Sequence, residues 1–142
     1  MRNKIRLQRV EKTDEHIRLL FELLNDRQFR ISHESQPTYS EHKGFVESDP
    51  YRAWYFVFCE ERIIGSFYLC SDNSIGLNLN DQNVDIVRAI LIYIKKNYQP
   101  FRAIPSFVPP YFSINVANAN TDLMLILRDI GCKEIQRTFQ YQ

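Results

Sequence analysis

His33-Glu34-Ser35, in the loop after the first helical pattern, is a compact polar cluster, an imidazole beside a carboxylate and a hydroxyl. Such a group can take a proton from a substrate directly or through one water, although a solvated loop would carry the same residues. Asp72, where a polar turn runs into a strand, offers a further carboxylate as a general base. Cys59, Cys70 and Cys132 are odd in number and widely spaced. They suit buried free thiols in a reducing compartment better than a disulfide framework. Cys59 and Cys70 fall in or beside strands and read as packing residues rather than nucleophiles. No CxxC or HxxxH spacing occurs, so no metal site is expected. His16 and His42 fall on helices and are expected at the surface.

These groups must be positioned by one domain, since 142 residues suffice for a single core and no linker, repeat or low-complexity segment interrupts residues 1–142. Charged residues make up 25% and hydrophobic ones 44%, as in ordinary globular chains. The formal charge of +1 gives no field that favours nucleic acid or an anionic membrane, so neither is expected as a partner. Arg2, Lys4 and Arg6 alternate as the solvent face of an edge strand would, with no stacking aromatics between them. The first residues contain no apolar h-region and the longest apolar runs are too short to span a bilayer, which points to a cytoplasmic protein.

Alternation at Ile5 and Leu7 predicts a first strand. Thr13 or Asp14 can cap a helix whose apolar face is Ile17, Leu20, Phe21 and Leu24. Thr38-Tyr39-Ser40-Glu41 fits a capping box and predicts a short second helix ending near Ser48. Residues 52–59 (RAWYFVFC) read as a buried strand, Glu60-Glu61-Arg62 as a turn and residues 63–69 as its hairpin partner. After a turn at Asp72-Asn73, residues 74–80 (SIGLNLN) alternate as a third strand of the meander. Val84, Val87, Leu91 and Ile94 mark a helix to about Asn97, and the four prolines of residues 99–110 mark a loop with a brief extended piece at 106–108. A strand over 111–116, a helix over 121–130 stopped by Gly131, and one bent strand or two short ones over 133–141 complete the pattern. This order predicts an α/β (α+β) domain whose mixed, mostly antiparallel sheet has six to seven strands, with helices on both faces.

Val116, Asn120 and Gly131, the Ile64-Gly65 pair, and the SIGLNLN strand leading into a long amphipathic helix together resemble the GNAT family of N-acetyltransferases, over nearly the whole chain. The resemblance implies acetyl-CoA as cosubstrate and direct acetyl transfer to a small-molecule or protein amine. It places cofactor contacts on the strand residues Leu77, Asn78 and Leu79, on the turn and helix start at Gln82, Asn83 and Val84, and on Asn120. It places the acceptor site near His33 and Glu34, which with Asp72 are then the candidate general bases. A turn or helix-cap role would explain Asn120 equally well.

The sequence also departs from the family. The pyrophosphate turn, usually Gln/Arg-x-x-Gly-x-Gly/Ala, is here Asn80-Asp81-Gln82-Asn83-Val84-Asp85, without glycine and with two carboxylates. Leu127 stands where many members carry a tyrosine acid, and Cys132 where an aromatic usually follows the glycine. Tyr111 or Tyr141 could substitute spatially. The alternative expectation is therefore a non-catalytic protein of the same fold that binds a protein partner, or a homodimer, and a weaker one is a peptide-binding strand edge.

Overall fold

The computed structural model describes residues 4–26 and 36–142, so His33 and Glu34 lie outside the described residues. The elements are β1 (Ile5–Arg9), α1 (Asp14–Asp26), α2 (Tyr39–Glu47), β2 (Ala53–Cys59), β3 (Arg62–Leu69), β4 (Ser74–Leu79), α3 (Val84–Asn97), β5 (Ser113–Ile114) and α4 (Thr121–Ile130). The strands form one sheet in the order β1-β2-β3-β4-β5, antiparallel except for the parallel β4–β5 pair.

Local chemistry sets the helix ends. The Thr38 hydroxyl accepts from the Glu41 amide at 3.2 Å and the Glu41 carboxylate accepts from the Thr38 amide at 2.9 Å, a complete capping box. The Thr13 hydroxyl caps α1 through the His16 amide. Gly131 ends α4 in the left-handed region, at φ 109°.

Alternation along β2 divides the core in two. Ala53, Tyr55, Val57 and Cys59 face α3 and α4 with Phe67, Leu69, Ile75, Leu77, Ile86, Ile90 and Leu123. Phe56 faces the other way, against Ile17 and Leu20 of α1 and Val46 of α2. On this second face Trp54 is met edge-on by Tyr51 at 4.7 Å and by Phe45 at 6.3 Å, and Tyr51 stacks on Tyr68 at 3.8 Å. The Tyr68 ring lies over Gly76, where any Cβ would enter it.

Several expectations are corrected. Among the described residues the sheet has five strands rather than six or seven, because the expected 111–116 strand narrows to Ser113–Ile114 and residues 133–142 pair with none of the five. The extended piece near 106–108 is a single bridge, Ile104 to Val108. Cys132 is exposed rather than buried. His16 and His42 are buried rather than at the surface. The His16 Nδ1 accepts from the Glu11 amide at 2.9 Å, and its ring meets Phe56 edge-on. The His42 Nε2–H donates to the Ile17 carbonyl at 3.1 Å, which ties α2 to α1.

Burial holds the His42 pKa below its ordinary value, the bond to Ile17 acting in the opposite sense. A histidine whose folded pKa is depressed takes up a proton more readily when unfolded, so stability falls as pH drops below about 6.5. The melting temperature should therefore decline from pH 7 towards pH 5.5, and His42→Gln should flatten that decline. An equal slope in the variant would remove His42 as the cause.

Candidate functional site

β4 and β5 pair over only two rungs, Ser74–Ser113 and Ile75–Ile114. Beyond them β4 runs on to Leu79 with, among the described residues, no strand along that edge, whereas the segment after β5 continues through residues 115–119 into the α4 cap. The result is a wedge between two parallel segments. Leu77 and Leu79 contribute to the core on the helix-covered face, and Val116 packs against the same core from the opposite wall. Beside the open end of the wedge stand the first turns of α3 and α4.

Two side chains join those turns. The Gln82 Nε2 donates to Asn120 Oδ1 at 2.9 Å, and the Asn120 Nδ2 donates back to Gln82 Oε1 at 2.8 Å. Asn120 is buried, and its Oδ1 also accepts from the Leu123 amide at 3.3 Å as the α4 cap. One residue thus starts a helix and braces the wedge. Asn83 caps α3, accepting from the Ile86 amide at 3.0 Å. The α3 amides ahead of Ile86 belong to the first turn, where intrahelical partners are lacking and the helix field favours an anion. Asp85 is exposed and its carboxylate stands 3.9 Å from the Arg88 guanidinium, so its charge is drawn along the helix rather than over the turn.

The structure therefore brings Leu77, Asn78, Leu79, Gln82, Asn83, Val84 and Asn120 to one end of the sheet. It does not bring Asp72 there. Asp72 precedes the opposite end of β4, where its carboxylate accepts from the amide and hydroxyl of Ser74 at 3.0 and 2.6 Å. Six of the eight tyrosines are also placed elsewhere. Tyr39 packs on Phe21, Tyr51 and Tyr68 stack together, and Tyr55, Tyr93 and Tyr98 share a hydroxyl cluster near Arg9. Burial and the Tyr55 hydroxyl push Tyr98 up to about 12. Tyr111 sits at the closed end of the β4–β5 pair and Tyr141 on the exposed terminal segment. Leu127 is packed in the core beside Leu123 and supplies no acid. Burial pushes the Cys70 thiol up, which keeps it a poor nucleophile.

The residue that sequence reading missed is Asn73. It is buried, left-handed at φ 69°, and its carboxamide holds the proline-rich loop. The Nδ2 donates to the Phe101 and Pro109 carbonyls at 3.0 and 2.8 Å, and the Oδ1 accepts from the Phe101 amide at 2.6 Å. The Asn73 carbonyl then accepts from Ser113 at 3.0 Å, which starts β5 and hence the wedge. The Asp-Asn turn was the only signal, and turns commonly carry those residues for local reasons.

No family model and no curated protein matches the sequence. Solved structures do match the fold. A domain from Methanocaldococcus jannaschii superposes with a TM-score of 0.72 at 17% identity, over 96% of this chain and 93% of that one. The aminoglycoside N-acetyltransferase AAC(6')-Iy, in complex with CoA, gives 0.62 at 12% identity over 100% and 96%. The Campylobacter jejuni N-acetyltransferase PseH, in complex with acetyl coenzyme A, gives 0.58 at 16% over 95% and 92%. The chain adopts the GNAT fold. In GNAT-fold terms the wedge is the β4–β5 splay, and the Gln82–Asn120 pair bridges its two helix starts. Among the described residues no group of three or more His, Cys, Asp or Glu is placed to hold a metal, and no helix is long and apolar enough to cross a membrane.

Proposed function

We propose that this protein is an acetyl-CoA-dependent N-acetyltransferase that acts on a small-molecule or protein amine. The observation that carries the reading is the β4–β5 splay with the α3 start beside its open end. N-acetyltransferases of the same fold have been solved with CoA and with acetyl coenzyme A, which supports the choice of ligand. The fit rests on backbone rather than on glycine. The strand end Leu77–Asn78–Leu79 would line the pantetheine arm, and the first-turn amides at Val84 and Asp85 would face the pyrophosphate, with Asn83 and Gln82 fixing the turn.

Acetyl-CoA would supply the acyl group as a thioester. The chain's part is to hold its carbonyl near a backbone amide of β4, which would stabilise the developing oxyanion, and to exclude water from the wedge. Removal of a proton from the acceptor ammonium falls to His33 or Glu34 in this reading. Asp72, at the far end of β4, is not part of it.

A ligand that binds only the folded chain raises its melting temperature by mass action. Millimolar acetyl-CoA should therefore give a thermal shift and calorimetric heat. Asn120→Asp keeps the α4 capping oxygen but removes the donor to Gln82 and adds a charge at the wedge. It should weaken binding about tenfold, or ~1.4 kcal/mol, and His33→Ala should leave binding intact and lower turnover. Absence of both shift and heat would sink the enzyme reading. The second reading, a non-catalytic binding module of the same fold, would then stand. It is favoured by Leu127 in place of an acid and by a glycine-free turn whose Gln82 is already paired to Asn120.

A further inference from the structure

Tyr68 of β3 stands directly opposite Gly76 of β4. Cross-strand partners ordinarily stand side by side on one face of a sheet. With no side chain at Gly76, the Tyr68 ring instead lies flat across β4. A Cβ at Gly76 would fall nearest the Tyr68 Cζ, with the two Cε atoms equidistant behind it, so the hydroxyl-bearing end of the ring is centred over that residue. Tyr51 covers the other side of the ring, parallel to within 10° at 3.8 Å, and Trp54 meets Tyr51 edge-on at 4.7 Å. The ring is held between Gly76 and Tyr51. With Cζ over Gly76, the hydroxyl projects past β4, away from β3 and towards the line of β5. Gly76 is the first β4 residue beyond the last β4–β5 rung, Ile75–Ile114. The stack lies on the α1/α2 face, away from the helix starts, but the hydroxyl overhangs the point where the two strands part.

In the acetyl-transfer reading, on which this inference rests, the acyl end of the ligand falls at that point. The pyrophosphate lies at the α3 start and the pantetheine arm runs from Leu79 to Leu77, so the thioester comes last, beside Gly76. Ahead of it the rungs Ser74–Ser113 and Ile75–Ile114 close the wedge. On the helix-covered face Ile75, Leu77, Ile114 and Val116 belong to the core. The α1/α2 face is the one left, and the Tyr68 hydroxyl reaches over it from the β3 side. We propose that this hydroxyl donates a hydrogen bond to the thioester carbonyl of acetyl-CoA, as a second donor beside the β4 amide. A hydroxyl turns about its C–O bond to aim its hydrogen, and the clamp on the ring fixes the oxygen from which it turns. Donors held in place by the fold act most strongly where charge develops on the carbonyl oxygen. Free CoA lacks that oxygen, so Tyr68 separates the acylated substrate from the product. It makes no covalent bond and does not stand in for the acid position held by Leu127.

The test is calorimetric titration of the full chain with acetyl-CoA and with CoA, comparing the parent with Tyr68→Phe, which keeps the ring and its stack on Tyr51. Loss of one hydrogen bond should weaken acetyl-CoA about fivefold and leave the CoA affinity unchanged. A second readout labels the protein with 3-fluorotyrosine. The fluorine resonance absent from Tyr68→Phe should move further on adding acetyl-CoA than on adding CoA. An equal loss of affinity for both ligands overturns the proposal, by showing that the substitution acts through packing. Parental acetyl-CoA affinity in the variant, or a Tyr68 resonance that responds alike to the two ligands, overturns it as well. In these cases the parent still binds acetyl-CoA and the acetyl-transfer reading stands. A parent that binds neither ligand removes that reading and this one with it.

Discussion

Gly65→Ala is expected to leave little folded protein. Gly65 has φ 155°, and a Cβ there would stand 2.2 Å from the Asn78 carbonyl oxygen and 2.9 Å from the Leu79 Cα. Both atoms are backbone, so no side chain can rotate away. Register explains the crowding. Val57 pairs with Gly65 but Phe58 pairs with Ile63, which leaves Ile64 as an extra residue on β3 and bends the ladder at that point. The end of β4 closes over the bend, and glycine makes room for it. Overpacking against backbone and the strained φ together should cost about 4 kcal/mol, a large share of the whole stability of a domain this size. A fall of roughly 10 °C or more in the melting temperature is expected by calorimetry, with Gly44→Ala as control because nothing lies within 4 Å of a Cβ built there. A Gly65→Ala protein that melts within 3 °C of the parent, on the scale expected for a ~1 kcal/mol change, would refute this account. Since Asn78 and Leu79 form one wall of the splay, any Gly65 variant that does fold should have lost acetyl-CoA binding in the proposed reading.

Asn73→Ala should cost about 3–4 kcal/mol, from three hydrogen bonds at roughly 1 kcal/mol each and a left-handed backbone that alanine resists. The damage should be local before it is global. Without the carboxamide the proline-rich loop loses the anchors at Phe101 and Pro109, and the Arg52 contacts are left to hold it to the sheet: Nη1 donating to the Gln99 carbonyl at 2.9 Å and the guanidinium stacked 3.7 Å from the Phe101 ring. Limited proteolysis should cut within residues 99–110 at temperatures where the parent resists. Asn73→Gly separates the two causes, because it restores the backbone freedom and not the hydrogen bonds. Equal melting of the alanine and glycine variants would assign the whole loss to the bonds, and parental melting of both would discard the staple.

These two residues show what could be read from the chain alone. Thr38 and Glu41 were legible because both capping partners lie within four positions, and Gly131 because a left-handed stop is written in residue type. Asn73 was not, since its partners Phe101 and Pro109 lie 28 and 36 positions away. His16 and His42 were misplaced by residue type against the periodicity. His16 lies beside Ile17 and four positions before Leu20, and His42 four before Val46, so both share the buried stripe of their helices. The splay residues were legible only as a pattern shared with a family, because two strands that part after two rungs leave no local mark. The strand expected over 133–141 is not formed among the described residues, for alternation states which face a segment could bury and not whether an edge is there to pair with it.

The aromatic group on the α2 face has a practical consequence. Trp54 is the single tryptophan of the chain, and it lies at the joint between α2 and β2, edge-on to Tyr51 and Phe45. Intrinsic fluorescence excited at the indole therefore reports the seating of α2 on the sheet. The helices beside the splay pack on the opposite face of the sheet, so an unchanged emission spectrum on adding a ligand does not speak against occupancy there.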